Sequence, residues 1–264
     1  MTGNVVTGRA NAAFTIVQNE PAWLPVWFDY YAAQLGPQNV FVLDHDSTEI
    51  GLPALARVRA GGGRVVPVHR SVSFDHGWLR DTVERFQAFL LQSYRTVLFA
   101  EADEFLLTPH PDGLAGLMDN MSGLNVRAQG FNVVHYRDEE PPLRFDQRPL
   151  LAQRRWWVPS RLYSKTVVAR VPLHFTPGFH DIQGGGDEPD PLLFMAHLHR
   201  ADFAYALAKH RESAARNWNA HDRLIGAGLQ NRITDEGQLL AWFYKDDDVA
   251  APRQEIPAEL KTLV

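Results

Sequence analysis

The first hundred residues alternate between short apolar runs and longer stretches of helical period, and this alternation leaves few folds open to the chain. Phe14–Val17, Val40–Leu43, Val65–Val68 and Thr96–Phe99 are runs of four mostly apolar residues. Runs that lack polar alternation read as strands buried on both faces. Between the first two, Trp23, Val26, Trp27, Tyr30 and Tyr31 recur at helical spacing, with Asn19 as a helix cap and Pro21 near the first turn. Gly36-Pro37 ends that helix. A shorter helix over Leu52–Ala60 stops at Gly61-Gly62-Gly63. A third, from Trp78 to Gln92, carries Leu79, Val83, Phe86 and Leu90 on one face. Pro67 cannot donate to a strand ladder, which places the third strand at a sheet edge. Strands alternating with helices predict an α/β fold built on a mostly parallel sheet.

The second half reads differently. Gly123–Tyr136, Ser160–Val171 and Leu192–His199 read as strands of a smaller, mixed or antiparallel part. Tyr136–Pro159 and Gly178–Pro191 read as long loops, the latter centred on Gly184-Gly185-Gly186. Asp202–Asn217 and the region of Asp235–Tyr244 read as helices, and the charged tail from Asp246 as extended. Nothing in the sequence marks a linker, so residues 1–264 read as one domain. Within it, about 13–110 form one half, about 111–245 the other, and 246–264 the tail.

Composition narrows the class of function. Hydrophobic residues make up 45% of the 264, enough for a substantial core and incompatible with a disordered chain. The 26 Lys and Arg against 31 Asp and Glu give a net charge of −5, which argues against a nucleic-acid partner. There is no cysteine, so thiolate catalysis, disulfides and zinc–thiolate sites are excluded. No apolar run is long enough to cross a membrane, and the polar N-terminal residues lack the apolar segment of a secretory signal, so a cytoplasmic location is expected.

The acidic residues fall where a parallel α/β sheet binds ligands, outside the carboxyl ends of its strands. Asp44 and Asp46 follow the second strand, and Glu101, Asp103 and Glu104 follow the fourth. Two carboxylates one residue apart at a strand end can face one hard cation such as Mg²⁺ or Mn²⁺. Asp44 can instead accept hydrogen bonds from a base or ribose, or simply close a turn. His197 and His199, two apart on a strand, share one face and read either as packing residues or as a ligand pair. Trp156-Trp157 read either as a sugar-stacking surface or as a cover for the sheet.

Taken in order, Thr15–Glu20, Val40–Glu49 and Val97–Leu106 resemble the family 2 glycosyltransferases. The likeness is to the subgroup with a lysine-asparagine-glutamate start and an aspartate-x-aspartate-glutamate-phenylalanine motif, which overlaps family 92 in pattern. It covers about residues 13–110, with Gln18 in place of the lysine and Glu101 in place of the first aspartate. The resemblance implies a Rossmann-like GT-A fold, a nucleotide-sugar donor, Mn²⁺ or Mg²⁺, and transfer to a carbohydrate or other hydroxyl acceptor, with inversion as the family expectation. It implies Asp44, with Asp46 beside it, as a base or ribose contact, and Asp103 with Glu101 on the metal. It also implies a late histidine on the metal or donor phosphate, His199 or alternatively His197. Arg80 and Lys165 are further donor contacts by the same likeness. An inverting transferase needs a general base, for which Asp181, Asp187 and Glu188 in the glycine-rich loop are the candidates. Two other readings compete: a metal-dependent hydrolase using His180, Asp181, His197 and His199, and a non-catalytic sugar- or nucleotide-binding module.

Overall fold

A computed structural model describes residues 9–69, 73–245 and 252–264. Strand β1 (Arg9–Val17) leads into helix α1 (Trp23–Leu35), then β2 (Val40–Asp44), α2 (Leu52–Ala60), β3 (Arg64–Pro67), α3 (His76–Leu90) and β4 (Tyr94–Phe99). The order β3-β2-β1-β4 is parallel throughout, with β3 at the edge where its proline costs no ladder bond. Helix α1 packs beside β1 and β2 and buries Trp23, Trp27 and Tyr31, of which Trp27 and Tyr31 are fully enclosed. Helix α3 starts where Asp75 accepts from the Trp78 N–H, and it buries Val83 and Leu90 on its inner face.

The chain then changes sheets. Ala100–Asp103 carry it out of β4 and into β5 (Glu104–Leu107), and helix α4 (Gly113–Asn120) follows. Strands β6 (Asn125–Arg127), β7 (Gln129–Val133), β8 (Trp156–Pro159), β9 (Thr166–Ala169) and β10 (Phe194–His197) come next. Strand β9 pairs antiparallel with β4 and β6 antiparallel with β9, which makes the first sheet six-stranded. The second sheet has the order β11-β8-β7-β10-β5, where β11 is Gln254–Glu255, and it is mixed because β7 and β10 run parallel. Helices α5 (Phe203–Ala215), α6 (Ala220–Ile225) and α7 (Glu236–Phe243) pack beyond β10, and α8 (Ala258–Lys261) closes the chain. The parallel sheet flanked by helices, with a smaller mixed part after it, is the architecture that the alternating sequence predicts.

Several local expectations are corrected. Asn19 does not cap α1: at φ +53° its side chain accepts from the Thr48 backbone and hydroxyl, tying together the turns that follow β1 and β2. The stretch 136–159 ends in a strand. Trp157 is buried there and stacks on Phe131 at 4.0 Å, while Trp156 donates to Glu139, so the tryptophan pair covers the second sheet. In the tail, residues 246–251 lie outside the described residues. The remainder is not extended: β11 pairs with β8, and Ile256, Leu260 and Val264 are buried. No helix among the described residues is long and apolar enough to cross a membrane.

Candidate metal centre and cleft

A cleft of about 700 Å³ opens at the carboxyl ends of β1, β2 and β4, lined by Gln18, Glu20, His45, Glu101 and Asp103 among others. This is the ligand position expected of such a sheet, beside the switch point between β1 and β4. Asp103 belongs to the crossing between the two sheets. Strand β10 pairs antiparallel with β5 in a register that sets His197 opposite Glu104, and the Leu198 N–H donates to the Asp103 carbonyl at 2.8 Å. That register brings His197 and His199 to a carboxylate more than ninety positions earlier in the chain. His197 Nε2 lies 3.6 Å and His199 Nδ1 3.4 Å from Asp103 Oδ2. The three ligand atoms fall within 4.8 Å of one another.

The remaining nitrogen of each imidazole is also engaged. His197 Nδ1 lies 2.7 Å from Asn132 Oδ1, and His199 Nε2 lies 2.9 Å from His210 Nε2. The His197 ring is stacked on Tyr163 at 3.7 Å. Tyr163 reaches it because Gly130 of β7 lets its turn approach: a Cβ on Gly130 would sit 2.1 Å from the Tyr163 backbone. Burial holds His197 well below its ordinary range and hence neutral. Burial and the neighbouring His199 likewise push His210 down to about 4. Neutral imidazoles are the form that binds metals. A divalent ion at ~2.1 Å from two adjacent ligands sets them roughly 3 Å apart, so the observed separations close onto one ion with small side-chain shifts. The residues therefore fit a divalent metal, with two nitrogens and one carboxylate oxygen as donors.

Glu101 stands outside that set. Its Oε2 accepts from Lys165 Nζ at 3.0 Å, and the same ammonium donates to Glu104 at 2.5 Å. Lys165 is fully buried, so the structure places it beneath the acidic turn as its counter-ion and not against the cleft, contrary to the expected donor contact. Burial alone would depress the Lys165 ammonium, yet Glu104 and Glu101 more than offset this and hold it above its ordinary range. Burial, with Glu101 and Asp103 beside it, pushes Glu104 up to about 7 against the pull of Lys165.

The other expected site residues scatter. Asp44 accepts from the Ser47 N–H and holds its turn, and Asp46 at φ +52° sits 3.5 Å from His69. It is His45 between them that lines the cleft, stacked on Trp78 at 4.8 Å. Arg80 lines the cleft but is paired with Asp81 and Glu84. His180 lines the cleft, whereas Asp181 closes a turn by accepting from Ile182 and from Thr176. Asp187 and Glu188 border a separate hollow of about 560 Å³, with Arg127 and Asp190. The four-residue cluster of the hydrolase reading is thus not assembled, since Asp181 faces its own turn.

The sequence reading missed the far wall of the cleft. His76, at the start of α3, has its backbone N–H 2.9 Å and its Nδ1 3.1 Å from Asp222 Oδ2. Asp222 is buried, and Phe74 and Trp218 flank the His76 ring at 5.1 and 5.3 Å. The one sequence signal for this pair is Asn219, which caps α6 by accepting from the Asp222 N–H and so fixes the loop that delivers the carboxylate. Glu20 and Lys209 form a third pair on the cleft wall, 3.4 Å apart.

No protein-family model matches the chain, and no curated protein matches it in sequence. Among solved structures it is similar to a mannosyltransferase from Pyrobaculum calidifontis, in complex with GDP-Man and Mn²⁺. The identity is 14% and the TM-score 0.43, over 78% of this chain and 62% of that one. It is also similar to glucosyl-3-phosphoglycerate synthase from Mycobacterium tuberculosis, in complex with Mn²⁺, UDP and phosphoglyceric acid. There the identity is 22% and the TM-score 0.37, over 65% of this chain and 61% of that one. The chain therefore spans under two thirds of either protein.

Proposed function

We propose that this chain is a metal-dependent glycosyltransferase of GT-A type, which moves a sugar from a nucleoside diphosphate to a hydroxyl acceptor. One observation carries the reading: Asp103, His197 and His199 converge on one point in the cleft at the carboxyl ends of the parallel strands. The ordered motifs of the first hundred residues support it. Two imidazoles and one carboxylate suit Mn²⁺ better than Mg²⁺, which prefers an all-oxygen shell. When bound there, the ion would neutralise the diphosphate leaving group.

The chain's own residues supply the rest. His76 lines the cleft with its side chain 26% exposed, and its Nδ1–H donates to the buried Asp222 carboxylate. That hydrogen bond leaves Nε2 as a proton acceptor and stabilises the imidazolium that forms, the arrangement of a base backed by an orienting acid. His76 takes the acceptor's hydroxyl proton as its oxygen bonds to the anomeric carbon. The bond from that carbon to the diphosphate breaks, and the nucleoside diphosphate leaves with the electron pair. Attack from the face opposite the leaving group inverts the anomeric centre.

The first test is a thermal-shift panel of nucleoside diphosphates with and without Mn²⁺. A ligand at 100 times its dissociation constant adds about 2.7 kcal/mol of stability, a shift of several degrees. A shift with one nucleotide that requires Mn²⁺ is expected, and a smaller one with Mg²⁺. A shift with metal alone and none with any nucleotide would overturn the transferase reading and leave only the metal site standing. His76→Gln is expected to lower kcat by about 10²–10⁴-fold while leaving the Mn²⁺–nucleotide shift intact. If kcat is unchanged, another group takes the proton.

A further inference from the structure

We infer that Asn132 and His210 are positioning residues that hold the His197 and His199 rings so that each turns one nitrogen toward Asp103. The inference rests on the metal-site reading above and adds the residues that make the site one of fixed shape. A neutral imidazole has one N–H and one acceptor nitrogen, so the partner of either nitrogen decides the role of the other. Asn132 Oδ1 can only accept, and at 2.7 Å it takes the proton of His197 on Nδ1. His197 Nε2 is then a bare lone pair directed at Asp103 Oδ2, 3.6 Å away.

His199 is mounted the other way round. Its Nδ1 faces Asp103, and its Nε2 lies 2.9 Å from His210 Nε2. The two rings meet nitrogen to nitrogen, so one donates and the other accepts, and the contact fixes which way the His199 ring faces. A cation at the site selects the form in which His199 Nε2 donates to His210 Nε2 and His199 Nδ1 presents a lone pair beside that of His197.

Packing removes the freedom to flip. Asn132 is fully buried on β7, and His210 is buried on α5. Tyr163 covers the His197 ring, and Trp242 lies against both His199 and His210, at 5.6 and 5.4 Å. Neither Asn132 nor His210 is among the three ligands, so truncating either removes orientation and no donor atom. Outer-shell partners of this kind typically change metal affinity by roughly 10–100-fold.

The experiment has two readouts, and neither is activity. The first is a long-range ¹H–¹⁵N correlation spectrum of the metal-free, ¹⁵N-histidine-labelled full chain, with His197 and His199 assigned by single substitution. Expected is the Nδ1–H tautomer for His197, lost in Asn132→Leu. The second is the Mn²⁺ dissociation constant from electron paramagnetic resonance. It is expected to rise roughly 10–100-fold in Asn132→Leu and His210→Phe, and to recover most of that in Asn132→Asp and His210→Gln, which restore a polar partner. The opposite tautomer at His197, or unchanged Mn²⁺ affinity in the Leu and Phe variants, overturns the positioning role. A wild-type chain that binds no Mn²⁺ overturns the metal-site reading and the role with it, whereas the wrong His197 tautomer in a chain that does bind Mn²⁺ overturns the role alone.

Discussion

Asp103→Asn is expected to cost roughly 10³-fold or more in transfer rate and to abolish the Mn²⁺-dependent part of nucleotide binding. The substitution keeps the size of the side chain and changes its charge, so the fold should survive. What it removes is specific. Asp103 is the one anion in the three-residue cluster, and its Oδ2 is the atom that both histidines face. A neutral amide leaves two imidazoles as donors and no charge to offset a dication, while the diphosphate of the donor would still need neutralising. Electrostatic stabilisation of a leaving diphosphate is worth several kcal/mol, and each 1.4 kcal/mol is a factor of ten. The comparison with Glu101→Gln is informative. Glu101 stands beside the cleft with one oxygen held by Lys165, outside the cluster, so its Mn²⁺ affinity should change far less. Calorimetric Mn²⁺ titration of the two variants decides between them. Equal losses would return Glu101 to the donor set that the sequence motif implies.

The unequal fate of these two acids shows what the sequence could reveal. Periodicity locates β1 to β4 and α1 to α3 because each is a local signal, an apolar run or a stripe at helical spacing. It also sets Asp103 at a strand end and His197 near another, although β10 stops at His197 and His199 lies in the turn beyond it, not on the shared strand face that the spacing predicts. It cannot show that they meet. Their meeting depends on the switch of sheets at Ala100–Asp103 and on the pairing of His197 with Glu104, which is a long-range register. Nor can it separate Glu101 from Asp103, because the separation is made by Lys165 from sixty-two or more positions away.

The expected bases lie away from the cleft for a related reason. Asp181, Asp187 and Glu188 attracted notice by sitting near glycines in a loop, yet nothing in a loop sequence states which wall it faces. The pair that does line the cleft, His76 with Asp222, joins the start of α3 to the middle of α6 across 146 positions. Only tertiary packing brings those elements together.

Lys165→Met is expected to be the most destabilising single change at the site, at about 3–5 kcal/mol. Lys165 and Glu104 are both fully buried and joined by a 2.5 Å hydrogen bond, with Glu101 sharing the ammonium. Removing the cation leaves Glu104 enclosed with no counter-charge, next to two further acids. Desolvation then has nothing to offset it. For a chain of this size the loss corresponds to a fall in Tm of roughly 6–20 °C, read by calorimetry. The pair's net contribution is a separate quantity. A buried ion pair replaced whole by apolar side chains of similar volume is often neutral in stability. Lys165→Met with Glu104→Met should accordingly recover most of the loss, and the double-mutant cycle measures the coupling between them. Recovery of stability without recovery of Mn²⁺ binding would show that the pair also holds the Asp103 turn in place. The Glu101 backbone N–H donates to Glu104 Oε2 at 3.1 Å, so the carboxylate that Lys165 neutralises also anchors the crossing on which Asp103 sits. If Lys165→Met leaves Tm unchanged, the ammonium is not the partner that keeps Glu104 buried, and the acidic turn must be held by its backbone alone.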